Sequence, residues 1–511
     1  MRCINRTGAY PSLYLAGSIP ERLRAEVKTT SQRRLQTEWV VRASAAILAS
    51  SLLLSGCMSL APPDATPPAP IAARYAPEAT EPGAAAATAW PDYFVAPQLQ
   101  ELIRHALADN RDLRIATLRV EEARAAFAIQ RADQLPTVAA QAGGSRALTP
   151  GDLNITGQPL YSSQYQVGLG FNAWELDFWG RVRNLKAAAL ETYLASAAAQ
   201  RAATLSLIAQ TANAYVSLCE LNERIDLAAR TVASREESYR IFKRRVEVGS
   251  TSRFELAQVE SLLTQAQNLQ AQLEQSRAVQ GHALTQLLGV KEPIDAATIS
   301  CNDDAILPSL APGLPAELLV ARPDIIAAEH QLKAANANIG AARAAFFPRI
   351  TLTGAFGSAS AELGGLFEAG SRAWNFAPQL TLPIFDSGRN RANLDLAEVR
   401  RDIAVANYEK IVQTAFREVL DALSGLEWLA RQLRYQDQNL AAQHERARLA
   451  KLRYDNGSTN YLEVLDAQRE LLNAEQQRAQ TRRALLASRI NLYAALGGGS
   501  LNRDAAAPAI P

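Results

Sequence analysis

The chain has 511 residues, with 53 Lys and Arg against 51 Asp and Glu, and only 6% of its residues are aromatic. This near balance of charge gives no indication of a nucleic-acid partner. Abundant alanine with few aromatic residues is more typical of long, closely packed helices than of several globular domains.

The N-terminal segment predicts a secreted lipoprotein. Basic residues precede a short apolar run, 43–54, which ends in the sequence Leu-Ser-Gly-Cys at Cys57. This order is typical of a signal peptide, and the run is far below the roughly 20 residues that span a membrane. The four residues resemble a bacterial lipobox, which implies cleavage before Cys57, a diacylglycerol on its thiol and an acyl chain on its amine. We therefore predict a signal peptide at 1–56, with a start that is over-extended if translation begins further downstream.

Candidate catalytic and metal-binding residues are lacking in the sequence. Beyond the signal peptide and Cys57, the cysteines are Cys219 and Cys301, and the sequence leaves open whether they are joined. No Cys or His pair has the spacing of a metal site, and we find no phosphate-binding loop or nucleophile elbow. We predict a protein that is not an enzyme and has no metal or cofactor apart from the lipid on Cys57.

The segment after the lipobox, 57–90, is rich in Pro and Ala. Such a composition predicts a flexible or extended tether, here expected to lie outside the packed body. Helical periodicity then begins near residue 97 and continues to about 135, with a break expected near Asn110.

Two stretches predict unusually long helices. Residues 181–248 contain no Gly or Pro, and residues 389–456 contain only Gly425. A helix of this length would measure about 100 Å. Each half of the chain also has two helical stretches of about half that length, which would stack end to end to match the long one. These shorter stretches are 98–135 with 250–288, and 316–347 with 458–496.

Two segments with alternating polarity, 137–177 and 349–385, predict β-hairpins. In the first, the apolar parity runs from Tyr165 to Ala173, and in the second it continues through Leu382 to Ile384. Alternation of this kind is found in membrane barrels and equally in half-buried soluble sheets. Because four strands cannot close a membrane barrel, membrane insertion would require an oligomer.

The chain is a tandem duplication. The segment 243–260 recurs at 451–468, an offset of 208 residues, with Lys, Arg, a Gly-Ser-Thr trio and a Glu in matching places. Gly180 and Gly388 match at the same offset. The predicted organisation is a tether at 57–90, a first repeat at 91–289, a linker at 290–314, a second repeat at 315–499 and a flexible tail at 500–511.

Several sequence motifs support a family resemblance. They are WELD with GR at 174–181, LP through RPD to FP at 314–348, LDAQR at 465–469 and ALGGG at 495–499. With these motifs the chain resembles the TolC-like outer membrane factors, closest to the lipoprotein branch that serves efflux pumps of the resistance-nodulation-division class. The resemblance covers 90–499.

The resemblance implies a mostly α-helical protein with a transmembrane β-barrel portion. It implies a homotrimer in which a twelve-strand barrel in the outer membrane continues into a twelve-helix tunnel. The expected function is a passive conduit that carries drugs, toxic organic compounds or metals across the periplasm and outer membrane. Expected partners are a periplasmic adaptor, an inner-membrane pump and membrane lipid. A protein-secretion duct, a lipid-anchored coiled-coil scaffold and a lipoprotein enzyme are the alternatives.

The repeated Gly-Ser-Thr segments are placed where a long helix reverses into a short one. Gly249 and Gly457 are positioned as C-terminal caps of the long helices. By resemblance these turns form the periplasmic tip that docks to the adaptor, with Ser250 and Ser458 beside the glycines.

The resemblance also implies a gate just after the second turn. Leu462, Glu463, Asp466 and Arg469 match the family's constriction, and the spacing of Leu462, Asp466 and Arg469 puts these three on one helical face. Threefold symmetry would gather Asp466 into a cation-attracting ring whose repulsion nearby bonds must offset. Gln258 takes the place of Asp466 in the first repeat, so we expect the gate in the second repeat only.

Tyr454 and Glu255 match positions that latch neighbouring coils together in the family. Thr459 stands where the TolC relatives have an arginine. This departure puts part of the latch in question, and ordinary solvated helix faces are the alternative for all of these charges.

Overall fold

The computed structural model describes residues 59–63, 65–72, 86–299, 310 and 315–500. The predicted signal peptide, the lipidation residue Cys57 and nearly all of the tail lie outside them. Within the first repeat the elements are α1 (Trp90–Tyr93), α2 (Pro97–Asp109), α3 (Arg111–Ala132), β1 (Val138–Thr149), β2 (Leu160–Leu176), α4 (Arg181–Glu247) and α5 (Arg253–Leu288). The second repeat contains α6 (Pro315–Ala321), α7 (Pro323–Ala344), β3 (Arg349–Ser360), β4 (Arg372–Thr381), α8 (Arg389–Asp455) and α9 (Tyr461–Ala495).

The long helices α4 and α8 form the frame of the fold, with 67 residues each. Helix α4 packs against α3, α5, α7 and α9, and α8 packs against α7 and α9. Their backbone ladders are continuous because neither helix contains Pro. At Gly425 a Cβ would clash with the hydroxyl of Ser488, so glycine permits close approach of α8 and α9. Among the described helices, none is both long enough and apolar enough to cross a membrane.

The expected break in the first helical stretch is confirmed at Asn110. Its Oδ1 accepts a hydrogen bond from the N–H of Leu113 at 2.9 Å and caps α3. Its Nδ2 donates to the carbonyl of Leu287 at 2.8 Å, near the end of α5. Asn110 therefore ends α2 with its backbone N–H, while its side chain begins α3 and ties the junction to α5.

Each repeat ends in a glycine that fits closely against a helix junction. Gly289 follows α5 with φ +66°, and a Cβ there would clash with the carbonyl oxygen of Asp109. Gly497 follows α9 with φ +76°, and a Cβ there would lie 2.9 Å from the carbonyl oxygen of Ala321. In both repeats the end of one short helix therefore meets the junction between two others.

A buried aromatic cluster joins the start of the first repeat to the end of the second. The rings of Tyr93 and Tyr493 stack with centroids 4.1 Å apart, and Phe94 packs edge-on against both. The Tyr93 hydroxyl donates to the carbonyl of Arg489 and the Tyr493 hydroxyl to that of Thr88, each at 2.9 Å. Burial raises the pKa of both tyrosines, so the cluster remains neutral.

Arg322 connects three helices of the second repeat. It is buried, and its guanidinium donates to the carboxylates of Asp324 at 2.6 Å and Glu418 at 2.7 Å. A further bond at 3.0 Å reaches the carbonyl of Ala495. This Arg is part of the RPD motif, whose role is therefore to tie the start of α7 to α8 and the end of α9.

The start of the predicted linker lies against α4. Asn222 donates to the carbonyls of Ala296 at 2.8 Å and Ile299 at 2.7 Å. One turn earlier on α4, Cys219 is disulfide-bonded. Cys301 lies outside the described residues.

The four strands form one antiparallel sheet in the order β1-β2-β3-β4. Leu169, Phe356 and Trp374 are cross-strand neighbours on one face, and all three are exposed. The opposite face carries small residues such as Gly168 and Gly357. Within the described chain, β1 and β4 each keep one edge without a strand partner.

The predicted parity is wrong at Ala173. The register between β2 and β3 shifts between Phe171 and Trp174, and Ala173 has φ +48°. Its N–H bonds the Thr353 hydroxyl at 3.1 Å instead of a backbone carbonyl. This bulge interrupts the alternation near the base of the sheet.

The second β-hairpin is shorter than predicted. Strand β4 ends at Thr381, so Leu382 and Ile384 lie beyond it, and both are exposed. Pro383 stands between them and has no N–H with which to continue the ladder. The alternation of apolar residues in the sequence therefore continues beyond the end of the strand.

The tether prediction also needs correction, because residues after the lipobox pack on the body. The carbonyl of Leu60 accepts a hydrogen bond from Arg343 at 3.3 Å, and Ala61 lies against Gly340 on α7. Further along, Ile71 packs against the apolar cluster of the second repeat. We call residues 60–63 and 65–72 the strap. Both ends of the strap contact the packed body instead of lying outside it.

We expect Gly340→Val to release the strap. A Cβ at Gly340 would lie 2.8 Å from the backbone nitrogen of Ala61 and 2.6 Å from the side chain of Asn184. Cleavage of 60–72 by a non-specific protease should rise roughly tenfold, while helix content is unchanged. Gly364→Val is the matched control, because a Cβ at Gly364 meets nothing within 4 Å. Equal cleavage of the two variants would show that Gly340 does not seat the strap.

Candidate functional site

The two turns between long and short helices have the same backbone geometry. Gly249 has φ +74° and Gly457 has φ +71°. In each turn the serine N–H bonds a carbonyl five residues earlier at 2.8 Å, from Ser250 in the first and Ser458 in the second. This is the usual glycine C-cap of a helix. All four residues are exposed, and a Cβ on either glycine would meet nothing within 4 Å.

Each turn is followed by a helix start that a glutamate stabilises. Ser252 and Glu255 form a reciprocal capping box at the start of α5. The hydroxyl of Thr251 also donates to Glu255, and these bonds hold the pKa of Glu255 below its usual value. The predicted latch residue Glu255 is therefore engaged within its own turn.

The second turn repeats this arrangement and adds an ion pair. The Asn460 side chain caps α9 by accepting from the N–H of Glu463 at 3.2 Å. Thr459 donates to Glu463, as Thr251 does to Glu255. Arg453 pairs with the same carboxylate at 2.6 Å.

Asp466 lies between two arginines. One carboxylate oxygen pairs with Arg469 on the same helix at 2.5 Å, and the other pairs with Arg446 on α8 at 2.5 Å. Sequence reasoning placed Arg469 correctly on the face of Asp466 but missed Arg446. The pair with Arg446 holds α9 to α8 beside the turn, and both pairs offset the charge of the carboxylate.

The structure brings the four predicted gate residues to one side of α9. Leu462, Glu463, Asp466 and Arg469 line a cavity of about 370 Å³. Leu462 is half exposed in the single chain. Each acidic group has at least one arginine partner, so the site as a whole is close to neutral rather than strongly acidic.

The predicted latch residue Tyr454 has a partner in the first repeat. Its hydroxyl accepts a hydrogen bond from Arg245 on α4. The Arg245 guanidinium lies 5.8 Å from the centre of the Tyr454 ring and 5.4 Å from that of Phe242. The structure thus brings Tyr454 to Arg245, whereas Glu255 bonds within its own turn.

Comparison with known proteins identifies the family. The outer membrane efflux protein model matches residues 102–290 and 314–498. The chain belongs to this family. The two matched segments correspond to the two repeats.

Characterised members of the family are similar over most of the chain. The solvent efflux pump outer membrane protein SrpC of Pseudomonas putida is 45% identical over 455 residues, which cover 88% of this chain and 96% of the relative. The outer membrane protein OprJ of Pseudomonas aeruginosa is 43% identical over 456 residues, with coverage of 88% and 95%.

Solved structures show the same fold. A crystal structure of a membrane protein from Pseudomonas aeruginosa has a TM-score of 0.82 and 43% identity, and the match covers 86% of this chain and 98% of that chain. The open state of the MtrE outer membrane channel of Neisseria gonorrhoeae has a TM-score of 0.77, 40% identity and the same coverage.

The efflux family membership confirms the resemblance, the outer-membrane location and the function as an efflux channel. The family is one of channel components and not a family of enzymes. Its members fit the mostly helical fold with one small sheet that the structure shows.

Proposed function

We propose that this outer membrane efflux protein acts as a homotrimeric, passive conduit. The observation that carries the proposal is the sheet, whose outer strands β1 and β4 have unpaired edges and whose apolar face is exposed. Antiparallel pairing of β4 with β1 of the next copy would satisfy both edges. Three copies give twelve strands, wide enough for a water-filled lumen.

The helices support the same stoichiometry. Each chain supplies two long helices and two end-to-end pairs of shorter ones, which makes four helix equivalents. Three chains would then form a tunnel of twelve. The lipid proposed on Cys57 would anchor each chain to the outer membrane. We propose no nucleic-acid partner.

The two exposed turns are our proposed contact with a periplasmic adaptor. They lie at the free ends of two helical hairpins, the first formed by α4 and α5 and the second by α8 and α9, where another protein can reach them. The residues concerned are Gly249, Ser250, Gly457 and Ser458, all exposed. The sequence has no phosphate-binding loop, so energy would come from an inner-membrane pump joined through that adaptor.

The gate is proposed at Leu462, Glu463, Asp466 and Arg469. Their common position on α9, beside the turn, supports the proposal. Tyr454 and Glu255 are proposed as latch residues, Tyr454 through its bond to α4 and Glu255 by keeping its turn rigid. In this scheme the second helical hairpin, α8 with α9, moves outward when the adaptor binds.

The proposed cargo is small organic molecules. Relatives similar over 88% of the chain are named as solvent, toluene and antibiotic efflux proteins. A protein-secretion duct of the same general family is the second candidate. Deletion of the gene would distinguish them, because loss of a small-molecule conduit raises sensitivity to drugs or solvents and loss of a duct abolishes secretion of a protein.

The proposal predicts discrete channel openings when the intact lipoprotein is reconstituted in a planar bilayer. We expect a small conductance in the resting state, with weak preference for cations because arginines pair with Asp466 and Glu463. Single-channel recording in symmetric and asymmetric salt measures both. A silent bilayer with confirmed insertion, for the wild type and for gate variants alike, would exclude the conduit.

A further inference from the structure

One face of α4 carries a line of side chains directed at the second helical hairpin, which is formed by α8 and α9. Arg235, Ser238, Phe242 and Arg245 are spaced three or four residues apart, as neighbours on a helix face are. We call these four residues the seam. Each of them contacts α9 or the end of α8 in the same chain.

The contacts of the seam are mostly polar. Ser238 shares a hydrogen bond with the Tyr461 hydroxyl, and the ring of Phe242 lies 4.6 Å from that of Tyr461. Arg245 bonds Tyr454. The seam therefore joins the first hairpin to the second at the level of the proposed gate.

The duplication provides an internal comparison for Arg245. Its counterpart 208 residues later is Arg453, which pairs with Glu463 in its own turn. In the first turn Arg245 helps to lower the pKa of Glu255 by its charge, but its hydrogen bond crosses to Tyr454 in the second repeat. The two equivalent arginines therefore form different contacts: Arg453 bonds within its own helical hairpin, and Arg245 bonds to the other one.

Arg235 is unusual because it is a buried cation that pairs with no carboxylate among the described residues. It is 3% exposed, and its one hydrogen bond is a long contact of 3.4 Å to the carbonyl of Leu465 on α9. Its Nη1 has no partner in the part of the chain that the structure describes. The ionisable groups acting on it are Tyr461 and Arg469, and burial lowers its pKa.

Such a group opposes the packed arrangement of the hairpins. A buried guanidinium loses its hydration, and without a carboxylate this loss is not recovered. Movement of α9 away from α4 would expose Arg235 to water. Because the side chain is already enclosed within one chain, a neighbouring copy cannot supply the missing partner to the arrangement seen here.

We propose that the seam sets the balance between closed and open tips, with Arg245 fastening the second hairpin to the first and Arg235 favouring their separation. This inference rests on the proposed conduit and adds two positioning residues to it. Both act through α8 and α9 and need not touch the transported molecule. The two arginines have opposite effects on one equilibrium.

The test is single-channel recording of the intact lipoprotein with variants at both positions. Arg245→Gln should raise the open probability roughly tenfold, because three bonds are lost per trimer. Arg244→Gln is the matched control and should conduct like the wild type, because this neighbouring arginine pairs with Glu247 on its own helix. Arg235→Met should lower the open probability, since an apolar chain of similar length suits the buried site.

The outcomes separate the seam from the conduit. If Asp466→Ala opens the channel but Arg245→Gln does not, the conduit stands and the role of Arg245 is refuted. If Arg235→Met opens the channel or leaves it unchanged, the role of Arg235 is refuted. Trimer content and helix content are measured for every variant, and a merely structural defect would shift both arginine variants in the same direction. Silence from every channel would refute the conduit and the seam together.

Discussion

Single-channel conductance is expected to increase several-fold when Asp466 is replaced by Ala. The substitution removes the ion pair that joins α9 to Arg446 on α8, and also the pair with Arg469 within α9. It leaves two like charges facing each other without a carboxylate between them. A half-exposed pair is worth only up to about 1 kcal/mol, but a trimer loses three such pairs between α8 and α9, enough to shift a two-state equilibrium by a factor of about ten or more.

A control for Asp466→Ala is available on the same two helices. Asp437 on α8 pairs with Arg478 on α9 at 2.6 Å, far from the turn. We expect Asp437→Ala to leave conductance unchanged, because this pair lies away from the proposed gate. If the double variant Asp466→Ala with Arg469→Ala also conducts like the wild type, the gate lies elsewhere.

The largest loss of stability is expected for Gly289→Ala. An alanine at φ +66° costs about 1–2 kcal/mol, and the clash of its Cβ with the carbonyl of Asp109 adds a further 1–3 kcal/mol, as overpacking typically does. The variant should therefore lose helical circular dichroism at a clearly lower temperature than the wild type. Its trimers should also be fewer after extraction from the membrane.

Gly249→Ala separates the two causes of this loss. Gly249 has nearly the same backbone conformation, φ +74°, but a Cβ there meets nothing within 4 Å. We expect only the backbone cost of about 1 kcal/mol. Equal melting temperatures for the two variants would show that the contact with Asp109 contributes nothing.

Much of the fold could be predicted from local chemistry. The long helices follow from stretches that almost lack Gly and Pro, and the break at Asn110 follows from a residue suited to an N-cap. The errors occur where a single residue overrides a pattern. Ala173 forms a bulge within an apolar alternation, and Pro383 ends a strand whose alternation continues. The strap was predicted as a tether outside the packed body because its composition does not show the contacts that it makes with α7 and with the apolar cluster of the second repeat.

The site was only partly predictable. Spacing along one helix correctly grouped Leu462, Asp466 and Arg469, because neighbours three and four residues apart share a face. Contacts between helices depend on which faces meet. Arg446 could still have been found by counting equal steps away from Asn456 in both directions, because Arg446 and Asp466 are 20 residues apart with Asn456 midway between them. The duplicated pattern does not distinguish Arg245 from Arg453, since each follows a Lys by two residues and precedes a Gly-Ser-Thr trio by four.

The aromatic cluster has a consequence for the order in which the chain folds. Tyr93 bonds to a carbonyl 396 residues later, and Tyr493 bonds to one 405 residues earlier. Contacts between residues so distant in sequence form late, because a large loop must close before they contribute. During secretion the N-terminal half emerges first, and Tyr93 and Phe94 stay uncovered until Tyr493 arrives to pack against them. We infer that folding is completed only after α9 has arrived, which leaves an interval in which periplasmic chaperones can bind the exposed aromatic residues.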